Sequence, residues 1–294
     1  MPTIAERSCK SLKRILFGTD FSPVAERATS YARALALSFS AMVEIVHVFD
    51  ADIFLDDDEP RLRTLSDRLA NRAGRLQALT TAFSSSGIKT TTSLSCDCPA
   101  WTGLLKVAEA DRADLIIAAT RSKAQLKRVF AGSTVEKLIR HSARPVLTIG
   151  PHVESAADGP LSFRRIVYGT DFSPEAEKAA DCALSFAAHD GARLYACHVM
   201  APRTDHSKTA VSAEGDVREA LERQISKSSL GAYGCELTIG EGDPANAILA
   251  LAAEVNADLI VLGARRSSFW LTHVERGVSL EVLAQAHCPV LTIH

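Results

Sequence analysis

No apolar run long enough to cross a bilayer occurs in this 294-residue chain, and its N-terminus lacks the charged-then-apolar pattern of a secretion signal. Those absences predict a cytoplasmic protein without membrane contact. A basic excess is missing too: 33 Lys and Arg face 35 Asp and Glu, a formal charge of −2, so the balance does not point to nucleic acid. The chain has no Gly-x4-Gly-Lys-[Ser/Thr] loop, no HxGH-like segment and no nucleophile-and-base constellation, which argues against a nucleotide hydrolase or nucleotidyl transferase and leaves no catalytic residue to name. The seven cysteines are odd in number and scattered, which does not make a disulfide framework in such a compartment, and most are expected to be buried thiols.

What the chain does have, it has twice. Gly18-Thr19-Asp20-Phe21-Ser22-Pro23 recurs letter for letter as Gly169-Thr170-Asp171-Phe172-Ser173-Pro174, 151 positions later. His47-Val48 matches His198-Val199 at the same offset, whereas Asp114-Leu115-Ile116 and Asp258-Leu259-Ile260 stand 144 apart, as do the Pro-Val-Leu-Thr-Ile segments at Pro145 and Pro289. The second copy is therefore shorter between its second and fourth strands. The expected division is a first domain at 1–150, a linker at 151–160 rich in Gly, Pro, Ser and Ala, and a second domain at 161–294.

Short Val/Ile/Leu-rich runs alternate with longer segments of helical spacing. Strands are predicted at 14–18, 42–49, 89–95, 115–119 and 146–149, with helices at 23–38, 62–85, 99–110 and 133–141 between them. Strands at 165–169, 193–199, 235–239, 259–263 and 290–293 repeat the plan. Such alternation predicts an α/β protein, two tandem doubly wound parallel sheets covered on both faces.

The hexapeptide has a mechanical reading in that fold. Ser22 and Ser173 can cap a helix, and Pro23 and Pro174 then take the first helical position, where a missing N–H costs nothing. Thr19-Asp20 and Thr170-Asp171 fall just beyond the carboxyl end of the first strand, where open α/β sheets bind ligands. The cap explains Ser and Pro but not Asp, so a ligand role for Asp20 stands beside the plainer reading of a good strand-to-helix turn.

The order of these pieces, with Glu241-Gly242-Asp243-Pro244-Ala245 opening a third helix and Cys288-Pro289-Val290-Leu291-Thr292-Ile293 closing the chain, resembles a tandem universal stress protein of the universal stress protein A family. The resemblance covers both halves nearly end to end. It implies five-stranded sheets of order 3-2-1-4-5 with an adenine-nucleotide alpha-hydrolase-like fold, domains that pair through their last strands, here within one chain, and homodimers among the assemblies. It also implies a stress-response role and, in many members, ATP with Mg²⁺ held by G-x2-G-x9-G-[S/T] after the fourth strand. Glycines there let the backbone approach phosphate, and the final Gly-Ser opens a helix toward it. That pattern favours a sensor or binder over an enzyme.

Carried over residue by residue, the first copy's ATP contacts are Gly18, Thr19, Asp20 and the Val48 backbone, with Ala119, Ser122, Gly132, Ser133 and Thr134 toward the phosphates. Two motif glycines are thus Ala and Ser, while Arg121, Lys123 and Lys127 offer compensating charge. The weaker second set is Thr170, Asp171, Val199, Gly263, Arg266, Arg276 and Gly277, where arginine replaces glycine. Arg265, Arg266 and Arg276 read either as a different anion site or as the remains of a lost one. Gly18 and Gly169 stand where many relatives have Pro, which keeps the turn but loosens it. The alternative to a nucleotide binder is a nucleotide-free interaction scaffold with both sites vestigial.

Weaker signals have bland readings beside sharp ones. His47 and His198 are expected as buried, satisfied histidines rather than ligands. Cys96-Asp97-Cys98 reads as a loop with two thiols rather than a metal site, since no second ligand pair stands at zinc-like spacing. The acidic run Asp50, Asp52, Asp56, Asp57, Asp58 and Glu59 reads as a solvated loop, with Mg²⁺ binding the sharper alternative. Ser267-Ser268-Phe269-Trp270-Leu271 puts apolar bulk in the second copy's phosphate-side loop, for another domain or for the emptied pocket itself.

Overall fold

The structure is a computed structural model that describes residues 11–49, 65–97, 99–120, 134–201, 209–225, 234–264 and 277–294. In the first half β1 (Arg14–Gly18), α1 (Pro23–Phe39), β2 (Met42–Phe49), α2 (Leu65–Ser85), β3 (Thr90–Cys96), α3 (Ala100–Ala110), β4 (Leu115–Ala119), α4 (Thr134–His141) and β5 (Val146–Ile149) follow in order. The second half repeats them as β6 (Arg165–Thr170), α5 (Pro174–Asp190), β7 (Arg193–Met200), α6 (Thr209–Ile225), β8 (Cys235–Glu241), α7 (Pro244–Glu254), β9 (Leu259–Gly263), α8 (Val278–Gln285) and β10 (Val290–Ile293).

The predicted caps form. Ser22 and Ser173 are extended at φ −73° and −70°, and each hydroxyl accepts from the amide three residues on, Ala25 and Ala176, at 3.3 Å. Such a cap is worth about 1 kcal/mol, and Pro23 and Pro174 follow it without losing a helical hydrogen bond. Both helices stop at a left-handed residue, Ser40 at φ 50° and Gly191 at φ 65°. Only the glycine takes that conformation at no steric cost.

The strands form one ten-stranded sheet of order β3-β2-β1-β4-β5-β10-β9-β6-β7-β8. Each half has the order 3-2-1-4-5 and is parallel throughout. The halves meet where β5 pairs antiparallel with β10, Val146 opposite Thr292, Leu147 opposite Leu291 and Thr148 opposite Val290. The Thr292 hydroxyl adds a bond to the Val146 carbonyl at 3.2 Å.

Helices cover both faces. Leu35, Phe83, Tyr168, Phe186 and Leu221 belong to one core beneath α1, α2, α5 and α6, and Leu104, Leu138, Ile248 and Val282 to another beneath α3, α4, α7 and α8. Strands buried on both faces explain why β1, β4, β6 and β9 read as continuous apolar runs rather than alternating ones. Each core runs through both halves, and across the boundary Phe39 of α1 stacks on His189 of α5 at 4.1 Å and meets Phe186 edge-on at 5.8 Å.

The segment between the halves lies along α1. Arg27 donates to the Pro151 carbonyl at 3.1 Å, Ala156 N–H to the Ser30 hydroxyl at 2.8 Å, and Leu161 N–H to the Ala34 carbonyl at 3.2 Å, while Arg33 pairs with Asp158. Small residues suit a strap laid against a helix as well as they suit a free linker.

Three sequence expectations are corrected. Cys96 is not in a loop: it ends β3, paired with Phe49, one residue beyond the expected strand end at 95. Glu241 likewise extends β8, and the third helix of that half is opened by Asp243, whose carboxylate accepts from Asn246 N–H at 2.8 Å. Among the described cysteines Cys197 and Cys288 are buried free thiols, Cys235 is half-buried and Cys96 exposed, whereas Cys182 is disulfide-bonded. No helix among the described residues is long and apolar enough to cross a membrane.

Candidate functional site

At the end of β1, Thr19 N–H still bonds the Val46 carbonyl of β2 at 2.9 Å, and the chain then turns into α1. Two side chains build the turn. The Thr19 hydroxyl accepts from Phe21 N–H at 3.0 Å, and an Asp20 carboxylate oxygen accepts from Ser22 N–H at 2.9 Å. Phe21 between them is left-handed at φ 60°, a conformation that costs a bulky residue roughly 1–2 kcal/mol. The second copy repeats all of it: Phe172 N–H to Thr170 at 3.0 Å, Ser173 N–H to Asp171 at 3.0 Å, and Phe172 at φ 58°. Asp20 and Asp171 therefore have a structural duty that the sequence reading withheld from them, since their carboxylates hold the strained residue's neighbour. Both aspartates are also exposed, at the carboxyl edge of the sheet.

His47 lies beneath the first turn, with Nδ1 at 2.8 Å from the Thr19 carbonyl and Nε2 at 3.0 Å from the Arg72 guanidinium. It is the buried, satisfied histidine that was expected. Burial first, then the positive charges of Arg72 and Arg75, lower its pKa below the usual 6.5, against the pull of the Thr19 carbonyl and Asp20. His198 repeats the contact to the Thr170 carbonyl at 2.9 Å and stacks on Phe172, but is only half-buried.

The glycines before the turns prove to be spacers rather than hinges. A Cβ on Gly18 would come within 3.0 Å of the Leu104 side chain, and one on Gly169 within 2.7 Å of Leu262 and 2.8 Å of Ile248. Neither glycine has positive φ, so what they provide is close packing of α3 and α7 on the strand ends, not looseness. Val48 is half-buried beside Gly103, whose absent Cβ would sit 2.9 Å from the Val48 side chain. The first turns of α3 thus form the wall next to Val48.

Of the phosphate-side residues, Ala119 ends β4 half-buried and Thr134 opens α4. Ser122, Gly132 and Ser133 lie outside the described residues, as do Arg121, Lys123 and Lys127. In the second copy Arg265, Arg266, Arg276 and the 267–271 segment are also outside them, together with Cys98 and the acidic run from Asp50 to Glu59. Gly263 is described and has a reason of its own: a Cβ there would meet the Ala176 backbone nitrogen at 2.6 Å, so the residue is glycine because α5 starts against it. Its carbonyl accepts from the Ser279 hydroxyl at 3.2 Å, while Gly277 caps α8 and Val199 lies half-buried in β7 opposite Gly240.

Sequence reasoning missed the residues that reach the turns from the second helix of each half. Arg75 donates to the Phe21 carbonyl at 3.1 Å with its guanidinium 4.3 Å from the Phe21 ring centroid, and the Thr170 hydroxyl donates to Gln224 at 2.9 Å. The signal available was the i, i+3 spacing of Arg72 and Arg75, which puts both on one face of α2. Among the described residues no group of three or more His, Cys, Asp or Glu is arranged to hold a metal. A cavity of about 300 Å³ lies at the opposite, amino end of the first half's sheet, lined by Arg14, Met42, Glu44, Thr91 and Asp111 among others.

The sequence profile of the Universal stress protein family matches residues 11–150 and 162–294. A universal stress protein of Thermus aquaticus is 33% identical over 140 residues, 45% of this chain and 98% of that protein. Universal stress protein MJ0531 of Methanocaldococcus jannaschii is 30% identical over 139 residues, 47% of this chain and 81% of that protein. Each of these relatives is thus matched by about half of the chain. In the fold as a whole, a universal stress protein from Archaeoglobus fulgidus superposes with a TM-score of 0.70 at 22% identity, covering 96% of each chain.

Proposed function

Because the chain belongs to the universal stress protein family, with two copies of the family's adenine-nucleotide alpha-hydrolase-like fold, we propose that it is a cytoplasmic, non-catalytic binder of an adenine nucleotide, ATP with Mg²⁺ in the first instance, acting through its first domain. The reading divides the chain into domains at 1–150 and 161–294. The observation that carries it is the first switch-point turn. There the exposed Asp20 carboxylate and the Val48 strand end lie at the carboxyl edge of the sheet, within a turn held rigid by its own hydrogen bonds. A carboxylate accepts from hydroxyls, so Asp20 fits a ribose, and the Val48 backbone fits a planar base beside the α3 wall.

ATP would be held by Gly18, Thr19, Asp20 and Val48 at the nucleoside end and by Ala119, Ser122, Gly132, Ser133 and Thr134 at the phosphates. Opened at its N-terminus, α4 would supply N–H groups to the anion. Thr170, Asp171, Val199, Gly263, Arg266, Arg276 and Gly277 make a poorer second set, because Gly263 is already required by packing against Ala176. Calorimetry with ATP and Mg²⁺ tests the reading. Saturable heat is expected, abolished by Gly132→Val with the fold intact; no heat and no thermal shift at millimolar ATP ends it.

One observation favours a second reading, a nucleotide-free scaffold. The threonine and aspartate of both turns hold backbone amides, so the repeated hexapeptide has a structural reason to persist without any ligand.

A further inference from the structure

The two turns are alike in sequence and backbone but are gripped differently. In the first, Arg72 donates to His47 Nε2 at 3.0 Å. A guanidinium has no acceptor, so Nε2 must carry the lone pair, and the ring proton sits on Nδ1, donated to the Thr19 carbonyl at 2.8 Å. Arg75, one turn along α2, donates to the Phe21 carbonyl at 3.1 Å and lies over the Phe21 ring, which itself packs on His47 at 4.7 Å. The carbonyls on either side of Asp20 are thus both held from α2, one through His47 and one directly. In the second copy, α6 reaches the turn through Gln224 on the Thr170 hydroxyl, and its neighbour Arg223 lies 3.6 Å from Glu219.

We propose that Arg72 and Arg75 are positioning residues that lock the first copy's Thr19-Asp20-Phe21 turn into its ligand-ready conformation, so that the first domain's turn is preorganised for a nucleotide by arginines where the second uses Gln224. The inference rests on the nucleotide reading for its consequence but not for its geometry. Arg72 fixes the imidazole tautomer, and the tautomer fixes the Thr19 carbonyl. Arg75 pins the far side of the strained residue. A turn already in its bound shape loses less conformational freedom when a ligand arrives, and that saving appears as affinity.

The test uses the full chain. Nitrogen-15 NMR of the unliganded protein is expected to show His47 as the Nδ1–H tautomer alone. Arg72→Met turns it into a tautomer mixture and speeds hydrogen exchange at the Phe21 and Ser22 amides, while Arg72→Lys, which can still only donate, restores the single tautomer. Arg75→Met speeds the same exchange without changing the tautomer. In calorimetry with ATP each Met variant binds about tenfold more weakly, the loss expected for one charge-assisted hydrogen bond, and Arg72→Lys recovers most of it. An unchanged tautomer and unchanged exchange in Arg72→Met overturn the proposal, as does a changed tautomer with undiminished ATP affinity. If the unsubstituted chain takes up no ATP, the nucleotide reading fails, and the lock is decided by tautomer and exchange alone.

Discussion

Gly263 at the end of β9 faces the Ala176 backbone so closely that a Cβ on it would lie 2.6 Å from the Ala176 nitrogen. At the matched position the first copy has Ala119, so the two halves set their first helix against the fourth strand with different clearances. Gly263→Ala is expected to cost about 1–3 kcal/mol in denaturant unfolding, the range for forcing a methyl into a packed contact. Since the contact is backbone on backbone, no rotamer change can relieve it; an unaltered midpoint would show that the clearance is larger than described.

Asp20 and Asp171 perform the same structural task, and asparagine keeps a side-chain oxygen acceptor of the kind the task needs. Asp20→Asn and Asp171→Asn should therefore each hold stability within about 0.5 kcal/mol, whereas alanine at either position should cost about 1 kcal/mol as the acceptor for the serine amide is lost. Under the nucleotide reading only Asp20→Asn weakens ATP binding. Equal losses from both asparagine variants, measured by calorimetry, would move the site into both domains.

Glu44 of β2 and Asp111, the residue that closes α3, both line the cavity opposite the candidate site. Burial foremost, then the Asp111 carboxylate, push the Glu44 carboxyl from 4.5 up to about 7, with Arg14 opposing. A carboxyl that holds its proton more tightly when folded stabilises the fold below its unfolded pKa, and the contribution disappears as pH rises through about 7. Melting temperatures between pH 5 and pH 8 should fall further for the unsubstituted chain than for Glu44→Gln, whose amide cannot ionise. Parallel pH profiles for the two would sink this assignment.

Thiol reactivity should follow burial. Cys96 is exposed on an edge strand, whereas burial pushes the Cys197 thiol up to about 11 and the Cys288 thiol up to about 12, so neither supplies thiolate at neutral pH. Among these three, an aromatic disulfide reagent at pH 8 is expected to label Cys96 within the native state and the other two only on unfolding, as mass mapping of the labelled peptides would show.

The strand and helix order was readable because each element carries its own local signal: apolar runs for strands buried on both faces, Ser-Pro for helix starts. Element ends were less readable. Nothing in Cys96 or Glu241 marks them as paired, because that pairing comes from the neighbouring strand and not from their own propensity. At the candidate site, the motif pointed to Thr19 and Asp20 but concealed why they are there, since an Asx turn and a ligand contact call for the same residue. Arg72 acts across 25 residues of chain and Arg75 and Gln224 across 54, and a charged residue on a helix looks the same in sequence whether it meets solvent or a carbonyl.

The antiparallel pairing of β5 with β10 turns the second half end over end relative to the first. Thr19, just beyond the carboxyl end of β1, and Thr170, the last residue of β6, consequently open toward opposite poles of the molecule. A ligand at one pole cannot bridge to the other, and whatever docks beside Asp20 meets a different face of the protein from whatever docks beside Asp171. The same seam also uses up the last-strand edge of each half, leaving β3 and β8 as the outer strands. A second copy of this chain has no last strand left to pair with, so any assembly larger than one chain must be built on some other surface.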